Sequence, residues 1–245
     1  MEATAYGEHL VRLTRYPRMF PINVYLVRED DGFTLVDTGI SGCEGEILEA
    51  ARGYGGRIRR IAITHAHGDH VGSLDRLREA LPAVEVLIGA RDARFLRGDR
   101  SLDPGEPQDK PRGGYQTCAT HPTGELSGDR IGSLRVVAAP GHTPGQVAFF
   151  DARDGTLIAG DAYQTRGGVA VSGVVRPLFP FPALATWHGP TALESANRLR
   201  TLEPSRLAVG HGKVLEDPLP AMDRAIGVAE RKVGTRSGIA ARGIA

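Results

Sequence analysis

Three imidazoles and a carboxylate fall within the six positions His65 to His70 of the run Thr64-His65-Ala66-His67-Gly68-Asp69-His70. The run directly follows the apolar stretch Ile61-Ala62-Ile63 and precedes a helical pattern. Packing so many polar rings as plain core is costly, whereas imidazole and carboxylate together suit a divalent cation. Residues of the same kind recur after later strand-like runs: His142 in Pro140-Gly141-His142-Thr143-Pro144-Gly145, Asp161 after Ile158-Ala159-Gly160, and His211 between Gly210 and Gly212. Taken singly, Asp69 reads as a helix N-cap, Asp161 as a turn residue, and His142 and His211 as satisfied polar groups. Together they exceed the four ligands of a tetrahedral zinc, which favours two cations. Two cations ~3.5–4 Å apart share one water and lower its pKa from ~15.7 toward ~7, supplying hydroxide at neutral pH for attack on a carbonyl or phosphoryl centre.

Positioning these groups requires strand ends. Ile22 to Val27 and Phe33 to Val36 are β-type runs separated by the turn signal Glu29-Asp30-Asp31-Gly32, which predicts a hairpin. Ser41 and Glu44 form a capping box for a helix ending near Gly53 or Gly55. The strand Arg59 to Thr64 then delivers the His-Asp cluster. Val71, Leu74, Leu77 and Leu81 mark a helix stopped by Pro82, and Val84 to Ile88 predicts another strand. Such a strand-helix-strand unit places its chemistry at the strand's carboxyl end. Residues 97–123, rich in Pro, Gly and charge, read as a long surface loop beside the site. Leu134 to Ala138 is a further strand, and Val147 to Asp161 a hairpin turning at Asp154-Gly155. This second hairpin echoes the first, since both run turn, apolar strand, terminal Asp (Asp37 and Asp161), which suggests two related halves. The Pro- and aromatic-rich stretch 163–188 reads as a lid or a subunit contact. Thr191 and Glu194 cap a helix, Arg206 to Val209 is a strand, and Asp217-Pro218 opens a last helix to about Val233, after which the final dozen residues read as frayed.

Length and composition bound the function. The 245 residues suffice for one α/β domain spanning 1–245 with a sizeable core. With 30 Lys plus Arg against 29 acids and a net charge of +1, no basic field favours nucleic acid. Only Lys110, Lys213 and Lys232 among the 30 basic residues are lysines, a bias that reflects genome composition rather than function. Cys43 and Cys118 lack metal spacing and fit a reducing compartment, which leaves His and Asp as ligands. No apolar run approaches the ~18 residues of a membrane span. The expected setting is cytoplasmic, with a small-molecule substrate, no nucleic acid, no membrane, and a monomer or homodimer.

The pattern H-x-H-x-D-H, followed by His142, Asp161 and His211 each after a strand, resembles the metallo-β-lactamase-fold hydrolase superfamily over about Asn23 to His211. Within it the chain is most similar to small bacterial metallohydrolases near glyoxalase II and the lactonases. The resemblance implies an αβ/βα four-layer sandwich: two packed mixed β-sheets flanked by helices. It also implies that His65, His67 and His142 bind one metal and that Asp69, His70 and His211 bind a second. Asp161 would bridge the two, and Asp37 would orient ligands. Two divalent ions are implied, zinc first, with iron or manganese as alternatives. Asp69 and Asp161 are the catalytic candidates. Tyr163 joins them because lactonases of the superfamily use a tyrosine near that point, at a different offset. His9, His121 and His188 are expected to be structural or exposed, with His188 beside Trp187 a candidate for substrate contact.

The expected activity is hydrolysis of a small ester, thioester, lactone or amide by a metal-bridging hydroxide. The alternatives are an iron-dependent oxidoreductase of the persulfide dioxygenase type, β-lactamase-like amide hydrolysis, and a metal-bearing binding protein without catalysis. Class B1 β-lactamases place a cysteine among the second-metal ligands, and none follows His142 here.

Overall fold

A computed structural model describes residues 1–126 and 130–242. The first sheet has seven strands in sequence order. β1 (Glu2–Tyr6) and β2 (Leu10–Arg15) open it as a hairpin that the sequence reading left out; β1 is a largely exposed edge strand whose only small apolar residues, Ala3 and Ala5, give little signal. β3 (Ile22–Glu29) and β4 (Gly32–Val36) pair antiparallel as expected. α1 (Glu44–Gly53) crosses to β5 (Ile58–Ile63), which lies parallel to β4. Ser41 does not cap α1: the helix begins after Cys43, whose N–H donates to the Ser73 hydroxyl, and that hydroxyl in turn donates to Glu44.

The single helix expected after the His-Asp cluster is two pieces, α2 (Gly68–Val71) and α3 (Leu74–Ala80). Gly72, between them, sits so close to the chain leaving β4 that a Cβ would come within 2.6 Å of Ile40 backbone carbon. That approach lets Thr38 N–H donate to His70 O and Gly72 N–H donate to Gly39 O. β6 (Glu85–Ile88) adds in parallel, followed by α4 (Ala90–Leu96), a helix the sequence reading omitted. The long loop ends at β7 (Gly124–Glu125).

The second sheet runs β15-β14-β11-β10-β9-β8. β8 (Arg130–Ile131), β9 (Leu134–Ala138), β10 (Val147–Asp151) and β11 (Thr156–Ile158) form an antiparallel meander. The stretch 163–188 holds the small ladder β12 (Tyr163–Gln164) with β13 (Ala170–Val171), then α5 (Phe181–Leu184). α6 (Gly189–Arg200) is capped by His188, not Thr191: the His188 imidazole accepts from Thr191 N–H, which gives His188 a structural role. β14 (Arg206–Ala208) lies parallel to β11, and β15 (Leu215–Glu216) folds back on it. α7 (Leu219–Arg242) continues past the expected stop near Val233, with residues 243–245 outside the described residues.

Alternate residues on each strand point to opposite faces, and both faces here are apolar. Val24, Leu26, Ile61 and Ile63 pack under α1 and α3. Their neighbours Tyr25, Val27 and Ala62 meet Val147, Phe149, Ile158 and Ala208 of the second sheet. Ala148 and Leu207 face Ala196, Leu199 and Met222 of α6 and α7. Helices, sheet, sheet and helices thus form the four expected layers.

Candidate metal centre

The two sheets present their strand ends on one side. β4 delivers Asp37, β5 delivers His65, His67, Asp69 and His70, the β9–β10 loop His142, β11 Asp161 and β14 His211. All seven residues with expected ligand roles converge. His65, His67 and His142 form one group of ligand atoms within 4.8 Å of one another; Asp69, His70 and His211 form another; Asp161 joins His65 and His70 in a third.

Each imidazole is tethered through one nitrogen and turns the other inward. His70 Nδ1–H donates to Asp37 Oδ2 at 2.7 Å, His67 Nε2–H to Arg112 O at 2.9 Å, and His211 Nδ1–H to Pro21 O at 2.8 Å. His65 Nδ1 contacts Thr64 Oγ1 at 3.0 Å, and His142 Nδ1 contacts Thr186 Oγ1 at 3.3 Å. This is how outer partners fix the orientation of metal-binding imidazoles. The inward atoms are crowded but poorly satisfied. His65 Nε2, His70 Nε2 and Asp161 Oδ1 are buried with no hydrogen-bond partner, an arrangement that ordinarily carries a penalty of ~1–3 kcal/mol per group. A cation fits that donor set. Gly210 belongs to the cradle, since a Cβ there would lie 2.7 Å from His70 Cε1.

Electrostatics divide the rings. Burial pushes His65 and His67 below their ordinary values and His142 down to about 3, leaving neutral lone pairs. Burial acts the same way on His70 and His211, but Asp37, Asp161 and Asp69 outweigh it at His70, lifting it to about 9, and Asp161 and Asp69 lift His211 well upward. Burial opposes ionisation of Asp69 and Asp161 in turn, and the surrounding imidazoles still hold both carboxyls well below the usual carboxylate range. Asp69 is the open member: its side chain is 26% exposed, against 4% for Asp161 and 2% for His211.

Residues 17–211 match the family model described as the metallo-beta-lactamase superfamily. The chain belongs to that superfamily. Among its relatives, the uncharacterized protein YobT of Bacillus subtilis (strain 168) is 47% identical over 233 residues, covering 94% of this chain and 100% of that protein. The probable metallo-hydrolase YflN of the same strain is 29% identical over 212 residues, covering 78% of this chain and 80% of its own. The crystal structure of TTHA1623 in a di-iron-bound form superposes with a TM-score of 0.63 at 27% identity, covering 86% of this chain and 96% of that one. Membership bears out the expected fold and the expectation of a metal-dependent hydrolase. Among the described residues, no helix is long and apolar enough to cross a membrane.

Tyr163 does not reach the metal centre. Its ring is fully buried in the core under α6 and α7, and its hydroxyl donates to Ala196 O at 2.9 Å, so it cannot meet a developing oxyanion. Between β11 and β12 a tight turn, closed by Ala162 N–H donating to Ala159 O at 3.0 Å, redirects the chain after Asp161, so Tyr163 enters the core instead of the site. Three other residues shape this superfamily site without a sequence signal. Asp92 of α4 is buried and accepts from Ala66 N–H and Thr143 Oγ–H through Oδ2 and from Gly145 N–H through Oδ1. It thereby ties the His-Asp cluster to the His142 loop. Burial pushes the Asp92 carboxyl up to about 6 against those donors. Asn23 Nδ2 donates to Val209 O and Gly212 O, both at 2.8 Å, and Tyr25 hydroxyl to Val209 O, which clamps the His211 loop to the first sheet. These contacts span from 26 to 189 residues of chain, beyond any local pattern.

Proposed function

We propose that the protein is a dinuclear metal-dependent hydrolase of small esters, thioesters, lactones or amides. The observation that carries this reading is the convergence of five imidazoles and two carboxylates with three of their inward atoms buried and unpartnered. His65, His67 and His142 would hold one cation, Asp69, His70 and His211 the other, and Asp161 would reach both. A metal pair held there supplies an acidified water and a Lewis acid for the substrate carbonyl. The chain's own part is to place and protonate. Asp69, the ligand carboxylate open to the cleft, takes the proton from the attacking water and passes it to the departing atom. Hydrolysis thus forms one carbon–oxygen bond, breaks the acyl bond, and leaves the proton on the leaving group. Asp37, held by Thr64 N–H and Thr64 Oγ–H at 2.8 Å each, fixes His70 for its cation.

Imidazole and carboxylate donors serve zinc, iron and manganese alike, and TTHA1623 has a di-iron-bound form. The test therefore loads each metal separately and assays an ester, thioester, lactone and amide panel. Turnover is expected to vanish on chelation and to fall by about 10²–10³-fold or more in His67→Ala and Asp161→Ala, with the circular dichroism unchanged. Absence of metal-dependent turnover across the panel would overturn the reading. Oxygen uptake with a persulfide would move it to the oxidoreductase alternative.

A further inference from the structure

The metal centre opens into a cleft of about 500 Å³. Outside the ligand groups its wall is Phe20, Ile22, Ile40, Phe181, Pro182 and Leu184, completed by Gly113, Gly114 and Ala185. Among the described residues, no lysine, arginine or neutral polar side chain lines it. Phe20 packs against Phe181 with ring centroids 5.1 Å apart and lies edge-on to the ligand His211 at 5.3 Å, so the apolar wall begins on the ligand set itself. α5, which carries Phe181 and Leu184, is tied to the same centre, because Thr186 Oγ1 donates to Pro182 O and contacts His142 Nδ1. At the mouth, Phe181 is 51% and Leu184 60% exposed, leaving apolar surface open to whatever occupies the cleft.

Resting on the hydrolytic reading, we propose that this cleft selects substrates by a neutral, apolar acyl group lying against Phe20, Phe181 and Leu184. An acyl group bearing a carboxylate, or a charged tripeptide thiol as leaving group, would enter a wall with no cation to receive it. Such desolvation disfavours charge, whereas each added methylene gains from burial, about three- to fourfold in affinity. Arg112, whose carbonyl accepts from His67 Nε2–H, lines a neighbouring cavity that shares Leu184 with the cleft and does not line the cleft itself.

The test uses the zinc-loaded protein with p-nitrophenyl acetate, butanoate and hexanoate, the monoanionic succinyl ester, and a glutathione thioester. Calorimetric binding of acetate, butanoate and hexanoate is measured beside it. Both kcat/KM and alkanoate affinity are expected to climb about three- to fourfold per methylene, with the succinyl ester and the glutathione thioester at least about tenfold behind the butanoyl ester. Phe181→Ala flattens the climb. Leu184→Arg, at an exposed position that tolerates the change, narrows the gap to the succinyl ester. Ester turnover with a flat series, or wild-type preference for the anionic substrates, overturns the selectivity while leaving the hydrolase reading intact. Alkanoate affinity that climbs without turnover of any ester supports the selectivity and removes the hydrolase reading instead.

Discussion

His70 is held between Asp37 and Asp161, with Nδ1 2.7 Å from one carboxylate and Nε2 3.6 Å from the other. Burial lowers its proton affinity, but those carboxylates and Asp69 raise it to about 9, and His211 is likewise raised. A raised folded pKa gives stability that is complete below the ring's ordinary value of about 6.5 and is lost as pH climbs through about 9. Cations compete with those protons, because a ligating imidazole must be neutral. Melting curves with and without zinc should therefore show a Tm gain that grows from about pH 6 to about pH 9; a gain largest at the acid end would contradict this account. Tyr163 offers the opposite check. Tyr163→Phe removes one buried hydrogen bond to Ala196 O, so stability should fall by about 1 kcal/mol while kcat/KM stays the same. A large loss of kcat/KM at unchanged stability would return Tyr163 to the chemistry.

At the scale of elements, the metal centre depends on loops from both sheets being pinned to one another. Asp37 closes β4 in the left-handed region at φ 62°, a conformation that carries some strain and collects at functional sites. Its carboxylate then meets Thr64 and His70 across the parallel neighbour β5. Asp92 performs the equivalent tie between the β5 and β9–β10 loops. In Asp92→Asn an amide N–H₂ would face donors at Ala66, Thr143 and Gly145. Metal affinity, followed by competition with a chromophoric chelator, should drop about 10- to 100-fold; an unchanged affinity would show that the tie is merely structural. The structure brings the side chains of the His-Asp cluster together with His142, Asp161 and His211. The cluster was legible in the sequence because its imidazoles and carboxylate are close together, and the three later residues because Gly-rich turns follow apolar runs. Asp92 and Asn23 were not, since their partners are set by the tertiary fold. The caps at Cys43 and His188 were missed because neither is a preferred N-cap type: α1 starts where Cys43 N–H meets the Ser73 hydroxyl, and at α6 the His188 imidazole accepts from Thr191 N–H where a hydroxyl or carboxylate would be expected.

At the scale of the molecule, the echo between the two hairpins is structural. β3–β4 ends in Asp37 and is joined in parallel by β5, which leads to His65; β10–β11 leads to Asp161 and is joined in parallel by β14, which leads to His211. Each half contributes a hairpin, an aspartate and a parallel strand leading to imidazole, and the metal centre sits where the halves face each other. The strands and helices were readable from apolar runs and amphipathic stripes, whereas the four-layer order came from the resemblance to the superfamily. The edge strand β1 and the cleft-forming stretch 163–188 were not readable, because one is largely exposed and the other irregular. The central claim is that the facing halves hold two cations through these seven side chains. Anomalous diffraction from crystals of the metal-loaded protein tests it most directly. Two peaks ~3.5–4 Å apart are expected, one against His65, His67 and His142 and one against Asp69, His70 and His211, with Asp161 between them. A single peak, or none within this set of residues, would contradict the account.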